Sequence, residues 1–419
     1  MSDVTTLGAL LGLVVTIVLI VGKVHPAYSL VLGALVGGVV GGCSLSATVD
    51  FMVSGAQSMT PAVLRIMTSG ILAGALIKTG AAQKIAETIV DKMGERFALA
   101  AVGLATMIIC SVGVFIDISV ITVAPIALAV GKKANLNKGS VLLAMIGGGK
   151  AGNIVSPNPN TIAISDVFGV DLTSLIFKNI IPAVCALLVT ILLAFILSKK
   201  KNGTMITQSD VESSETSLPG ILSSIAGPLV VIVLLSLRPL GGISIDPLIA
   251  LPAGGLCCIL LTGKIKEAVS ITEFGMSKVI GVSILLVGTG TIAGVIKASA
   301  LQHDVISLLE ALNMPAFALA PLAGVFMAGA TASTTAGATV ASQTFSSTLI
   351  RSGVPALSAG AMIHTGATVI DSLPHGSFFH ATGGSVFMSI KERMKLIPFE
   401  ACVGLTATIA SVVVYLFFG

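Results

Sequence analysis

Apolar runs recur along most of this chain, each long enough to cross a bilayer or to enter it, and they fall into two sets of seven. The first set lies at about 5–22, 28–43, 62–78, 97–114, 119–131, 139–155 and 177–198. The second lies at about 219–237, 243–262, 277–297, 314–332, 336–350, 356–372 and 398–418. Between them runs the longest polar stretch, 199–217, which opens with three lysines, Asn202 and Gly203 and continues rich in Ser, Glu and Asp. That composition predicts an exposed cytoplasmic linker between two halves, 1–198 and 218–419.

The halves resemble each other. Met145-Ile-Gly-Gly-Gly-Lys-Ala-Gly-Asn-Ile-Val-Ser-Pro-Asn158 aligns with Met362-Ile-His-Thr-Gly-Ala-Thr-Val-Ile-Asp-Ser-Leu-Pro-His375, pairing Met145 with Met362, Gly149 with Gly366 and Pro157 with Pro374 at a constant offset of 217. A second match, Ile77 to Gln83 against Ile296 to Gln302, falls at offset 219. Two motifs in one order and nearly one register indicate an internal duplication. Seven runs per half start the second half from the opposite side, so the repeat is expected to be inverted.

Two segments in each half do not read as plain spans. The stretches 97–131 and 314–350 each hold two short runs joined by small or polar residues, Ser111 to Asp117 and Ala330 to Thr335. Unpaired backbone in lipid costs several kcal/mol per group, so such a break is tolerated only inside protein or against water, and re-entrant hairpins are the economical reading. The stretches 139–170 and 356–388 read as broken helices, because Pro157, Pro159 and Pro374 stop a helix inside an apolar run. The fold class expected is therefore an all-α polytopic membrane protein, an inverted repeat with re-entrant hairpins and discontinuous helices.

Composition agrees: 54% of the 419 residues are hydrophobic and 10% charged, outside the range of soluble domains. The run from Leu7 to Val21 follows Asp3, with no basic residue before it and no small-residue cleavage site after it, and reads as a retained span. If successive runs change sides, one face gathers Lys23, Lys78, Lys84, Lys92, Arg96, Lys132, Lys133, Lys138, Lys199 to Lys201, Lys264, Lys266, Lys278, Lys391, Arg393 and Lys395. The other receives Lys178, Arg238, Lys297 and Arg351, with Arg65 near its boundary. The rich face is then cytoplasmic and both termini lie outside, so the net charge of +4 is a topology signal and gives no nucleic-acid footprint. The six cysteines sit in or beside apolar runs without metal-ligand spacing, and neither metal nor cofactor is expected.

Candidate chemistry concentrates at the breaks. Lys150 is a cation in an apolar run, worth roughly 2.5–3.5 kcal/mol on insertion scales, and so should face a cavity or a partner such as Asp117 or Asp371. Gly149 and its neighbours leave backbone open to a ligand, while Asn153, Ser156 and Asn158 offer polar groups where the helix unwinds; half-helix ends there suit a carboxylate. In the second half Thr365 and Thr368 can meet substrate hydroxyls, with Thr334 and Thr335 at the hairpin tip. Asp117, His364, Asp371 and His375 are candidates for carrying a coupled proton.

At these residues the chain resembles the gluconate permease family, GntP, of the ion transporter superfamily. The likeness runs through Gly147 to Asn160, the Thr/Ser/Ala/Gly stretch from Ala330 to Ala341, and the turn from Ser372 to Gly376. It implies proton-coupled import of gluconate, related sugar acids, glycerate, D-serine or 3-hydroxybutyrate across a bacterial inner membrane. It also implies a homodimer whose transport domain moves past a scaffold as an elevator. The Leu-Pro-His turn looks closer to the hydroxybutyrate-type branch than to the gluconate or serine branches.

Three classes of function compete on the residues alone. A carrier of small hydroxy acids, coupled to protons or to sodium, fits the duplicated broken helix. An ion channel would need a continuous polar pore, which the asymmetry between the Lys150 copy and the His/Asp copy argues against. A membrane enzyme would have to draw on His364, Asp371 and His375, which have no recognised metal spacing.

Overall fold

The computed structural model describes residues 4–200, 203–211, 218–241, 245–311, 314–374 and 376–419. Among these the protein is helical, with no β-strand. The first half contains α1 (Thr6–Val21), α2 (Pro26–Val40), α3 (Leu45–Gln57), α4 (Thr60–Lys78), α5 (Ala81–Met93), α6 (Ala98–Ser111), α7 (Ile116–Lys133), α8 (Lys138–Asn153), α9 (Pro159–Phe168), α10 (Leu172–Lys178) and α11 (Ile180–Ser198). The second contains α12 (Ile221–Gly241), α13 (Pro247–Leu261), α14 (Ala268–Lys297), α15 (Leu301–Ala311), α16 (Leu319–Thr331), α17 (Thr334–Arg351), α18 (Ala356–Gly366), α19 (Ser377–Ser385), α20 (Ile390–Met394) and α21 (Ile397–Phe418).

The register of the two sets is close. α2 and α13 are both 15 residues long, and α7 and α17 are both 18. Even the hairpin turns correspond, since Gly113 (φ 105°) and Ala332 (φ 46°) both take the left-handed conformation. Glycine adopts it freely and alanine at a strain, so the second tip is a place where the fold holds an unfavourable backbone. One difference stands out: α14 runs unbroken for 30 residues where the first half divides into α3 and α4 at Ser58 and Met59.

Several helices fall outside the apolar runs of the sequence, three of them amphipathic. α3, α5 and α15 are amphipathic; α5 buries Ala81, Ala82, Ile85, Ala86 and Val90 along one face and leaves Asp91 and Lys92 exposed. Their signal is a 3.6-residue period, which a search for uninterrupted apolar stretches passes over. The described part of the expected linker, 203–211, leaves Thr204, Met205, Thr207, Gln208 and Ser209 exposed and is anchored on the protein at two points. Ile206 is buried, its amide donates to Leu136 O, and Asp210 receives the Lys138 ammonium at 2.7 Å. Lys138 is itself buried at the start of α8, so its charge needs a fixed partner, and the linker supplies it.

Packing separates the helices into two groups. α1 to α4 and α12 to α14 pack chiefly on one another, as do α6 to α8, α11, α16 to α18 and α21. The seam between them is made by α9 against α4 and by α17 against α14. Among the described residues four helices are long and apolar enough to cross a bilayer alone, including α4 and α11, and two bent pairs have the form of a broken span or a re-entrant loop. α11 leaves Ile181, Val184, Leu188, Leu192 and Phe195 exposed in a stripe, an apolar face suited to lipid.

Candidate functional site

α8 begins under the side chain of Asn137, which accepts from Ser140 N at 2.8 Å, and stops at Asn153, ahead of Pro157 and Pro159. α9 restarts on Asn158, whose Oδ1 accepts from the amides of Asn160 and Thr161, with Pro159 at its first position. Asn158 Nδ2 turns back to Asn153, donating to its backbone and side-chain oxygens at 2.8 and 2.7 Å. Asn160 Nδ2 reaches the same side-chain oxygen at 3.2 Å. Three asparagines thus tie the break together. Thr335 Oγ1, from the tip of the second hairpin, donates to Asn160 Oδ1 at 2.5 Å and joins the tip to this network.

In the second half the chain leaves helix after Gly366 and regains it at Ser377. Lys150 of the first break points into this one. Its ammonium donates to Thr368 O at 2.5 Å and to Asp371 Oδ1 at 2.6 Å, and both side chains are 2% exposed. Asp371 also accepts from Thr334 Oγ1 at 2.5 Å and from Ser372 Oγ at 3.0 Å. Its carboxylate is therefore occupied by one cation and two hydroxyls, which is what an ion pair held away from water requires.

A cavity of about 290 Å³ opens beside this cluster. Its wall takes residues from both hairpin tips (Phe115, Asp117, Ser333, Thr334, Thr335), from both breaks (Asn153, Asn158, Asn160, Asp371, Ser377, Phe378) and from α14 (Lys278, Gly281, Val282, Leu285). The α14 residues follow the i, i+3, i+4, i+7 spacing of one helix face. The lining is rich in amides and hydroxyls, with two carboxylates and one ammonium.

Of the candidates read from sequence, Asp117, Asn153, Asn158, Thr334, Thr335 and Asp371 come together here. Lys150 stands behind the wall, shielded by Asp371. Gly149 is not open to a ligand, since a Cβ there would meet Ile116 at 2.8 Å. Its neighbours serve packing as well: a Cβ on Gly148 would lie 2.0 Å from Gly103 O of α6, and one on Gly147 would lie 2.1 Å from Thr190 Oγ1 of α11. Ser156 donates to Cys110 O at 2.6 Å, fixing the break to the first hairpin. Thr365 and Thr368 are buried and donate to backbone oxygens of their own turn. His364 is fully buried on α18 and lies off the cavity wall, with no hydrogen-bond partner for either ring nitrogen among the described residues. His375 lies outside the described residues. Lys278 entered the sequence reading only as a topology lysine; its place in the wall depends on how α14 packs, which leaves no local signal.

Interrupted helices and hairpin tips converging on one half-open cavity lined by amides and hydroxyls, in a body with apolar faces turned outward, define a multi-pass all-α membrane transporter. Residues 4–251 match the family described as GntP family permease, and the chain belongs to the GntP permease family. It is 54% identical over 416 residues to an uncharacterized transporter of Haemophilus influenzae, covering 99% of each chain. An uncharacterized permease of the same organism is 25% identical over 200 residues, which is 46% of this chain and 40% of that protein. Among solved structures the fold is similar to that of the Alcanivorax borkumensis YdaH transporter, with a TM-score of 0.64 at 13% identity, covering 90% of this chain and 89% of that one.

Proposed function

We propose that this protein is a proton-coupled symporter of a small hydroxy-carboxylate or sugar acid, of the gluconate, glycerate and 3-hydroxybutyrate class, in the bacterial inner membrane. The cavity is the observation that carries the reading: it is about 290 Å³, and its donors and acceptors are placed by both hairpin tips and both breaks. Hydroxyl and amide groups of Asn153, Asn158, Ser333 and Thr334 can meet the one or more hydroxyls of such an acid.

Charge supplies the coupling. Lys150 and Asp371 neutralise each other, which leaves on the wall the Lys278 ammonium and a second carboxylate, Asp117, that offsets it and stands against an incoming anion. A like charge inside so small a site is strongly unfavourable, and a proton on Asp117 removes it. Anion and proton then enter together, and the group of helices carrying the hairpins and breaks moves past the α1–α4 and α12–α14 scaffold in an elevator step, as a homodimer with both termini periplasmic.

Sodium coupling is the second reading, supported by the oxygen-rich lining. The test is uptake of labelled gluconate, glycerate and 3-hydroxybutyrate by proteoliposomes under a pH gradient alone and a sodium gradient alone. Accumulation driven by the pH gradient is expected. Accumulation driven only by sodium overturns the proton assignment, and absence of counterflow exchange for all three acids overturns the carrier reading.

A further inference from the structure

We propose that Lys278 is a substrate-binding residue that meets the carboxylate only in the conformation whose cavity opens toward the lysine-rich face, and is left behind when the hairpins and breaks move away. The inference rests on the reading of the cavity as the carrier's substrate site. With Lys150 consumed by Asp371, Lys278 is the cation that lines the cavity among the described residues. It is exposed and makes no ion pair among those residues; its ammonium sits 4.9 Å from the ring centre of Phe274, one turn earlier on the same helix. Phe274 also carries Lys78, from the end of α4, at 4.5 Å on the same ring. Two ammonium groups gathered on one aromatic side chain give this mouth a positive potential that favours an anion, and of the two only Lys278 reaches the wall.

The side-selectivity follows from which helix carries it. Asn153, Asn158, Thr334 and Asp371 belong to the group that holds the hairpins and breaks, so they travel with the substrate. Lys278 belongs to α14, which packs on α2, α3 and α4. Its position ten residues into the helix puts it about 15 Å from the end that begins at Ala268. A displacement of the hairpin-and-break group along the seam therefore separates substrate from Lys278 and its α14 neighbours while keeping the polar contacts made by the hairpins and breaks. A salt link present in one state and absent in the other raises affinity on one side of the membrane alone.

The experiment uses Lys278→Gln, with Lys278→Arg and Lys78→Gln as comparisons, in right-side-out and inside-out membrane vesicles, reading the half-saturating concentration of labelled hydroxy acid in exchange. Lys278→Gln is expected to raise that concentration about tenfold on the cytoplasmic side, and by less than about twofold on the other, the loss of one charge-assisted hydrogen bond. Lys278→Arg should restore it, and Lys78→Gln, which removes only the more distant charge, should raise it by less than Lys278→Gln does. Wild-type exchange with a normal cytoplasmic constant for Lys278→Gln overturns the inference and leaves the carrier reading standing. An equal rise on both sides also overturns it. Wild type that exchanges none of the acids overturns the carrier reading and this inference with it. Melting temperature in detergent checks that Lys278→Gln keeps its fold, and if it does not, the Lys278→Arg constants on the two sides decide: a cytoplasmic constant equal to that for Lys278→Gln overturns the role of charge.

Discussion

Lys150 and Asp371, 221 positions apart in the chain, form an ion pair at 2.6 Å that closes one repeat's helix break with a charge from the other. The two halves are held together by this contact, and neither break is electrostatically complete alone. Removing one member leaves a buried charge without its counterion, which costs about 3–5 kcal/mol, whereas removing both costs far less. Lys150→Ala and Asp371→Asn should therefore each lower the melting temperature in detergent sharply, and a Lys150→Met, Asp371→Leu double variant should recover much of the loss. Single variants that melt with the wild type would show that the pair contributes nothing to stability.

Close helix approach at the glycines of α8 is a separate test, because it is a matter of volume. Gly148→Ala drives a methyl to 2.0 Å from Gly103 O, a backbone atom that cannot move aside cheaply, and should destabilise by about 1–3 kcal/mol. Gly384→Ala, where a Cβ meets nothing within 4 Å, should be close to neutral. Thermal melts of the two variants side by side decide it.

Thr335 joins the second hairpin tip to the first break through its hydroxyl on Asn160. Thr335→Val keeps the shape and removes the donor, and should raise KM for the transported acid about fivefold, the worth of roughly one hydrogen bond, while Thr335→Ser retains most of the affinity. Equal kinetics for the valine and serine variants would remove this hydroxyl from the site.

The docked linker should respond to acid. Partial burial works to raise the Asp210 carboxyl, but its hydrogen bonds from Lys138 and Thr207 outweigh that and hold it at about 2, below its usual 3.8. A depressed carboxyl contributes stability that is fully present above the ordinary aspartate range and is lost as pH falls toward the folded value. Amide exchange at Ile206, corrected for the intrinsic effect of pH, should stay slow at neutral pH and speed up between about pH 4 and pH 2. Asp210→Asn should speed it already at neutral pH, and an unchanged rate would detach the linker's docking from this pair.

Much of the architecture could be read from residue order. Proline positions located both breaks, since a residue without an amide hydrogen stops a helix wherever it stands, and the 217-residue offset between the Pro157 and Pro374 motifs is matched by α9 and α19. The amphipathic helices α3, α5 and α15 were hidden because their apolar residues come in short groups broken by polar ones and never form a long run. At the site, Asp117, Asn153, Asn158, Thr334, Thr335 and Asp371 were legible as polar groups stranded in apolar runs, which have to gather around water, a ligand or each other.

What the sequence determined by itself is whatever depends on local covalent and solvation constraints: the membrane class, where helices break, the repeat, and which polar residues cannot face lipid. Direction was decided by the tertiary structure. Whether Lys150 meets a solute or Asp371, whether Gly148 opens to a ligand or to Gly103, and whether Lys278 lies in loop water or in the cavity wall depend on the neighbour that packing brings from elsewhere in the chain. A buried charge or a missing side chain states only that a partner is required, and long-range packing chooses which one.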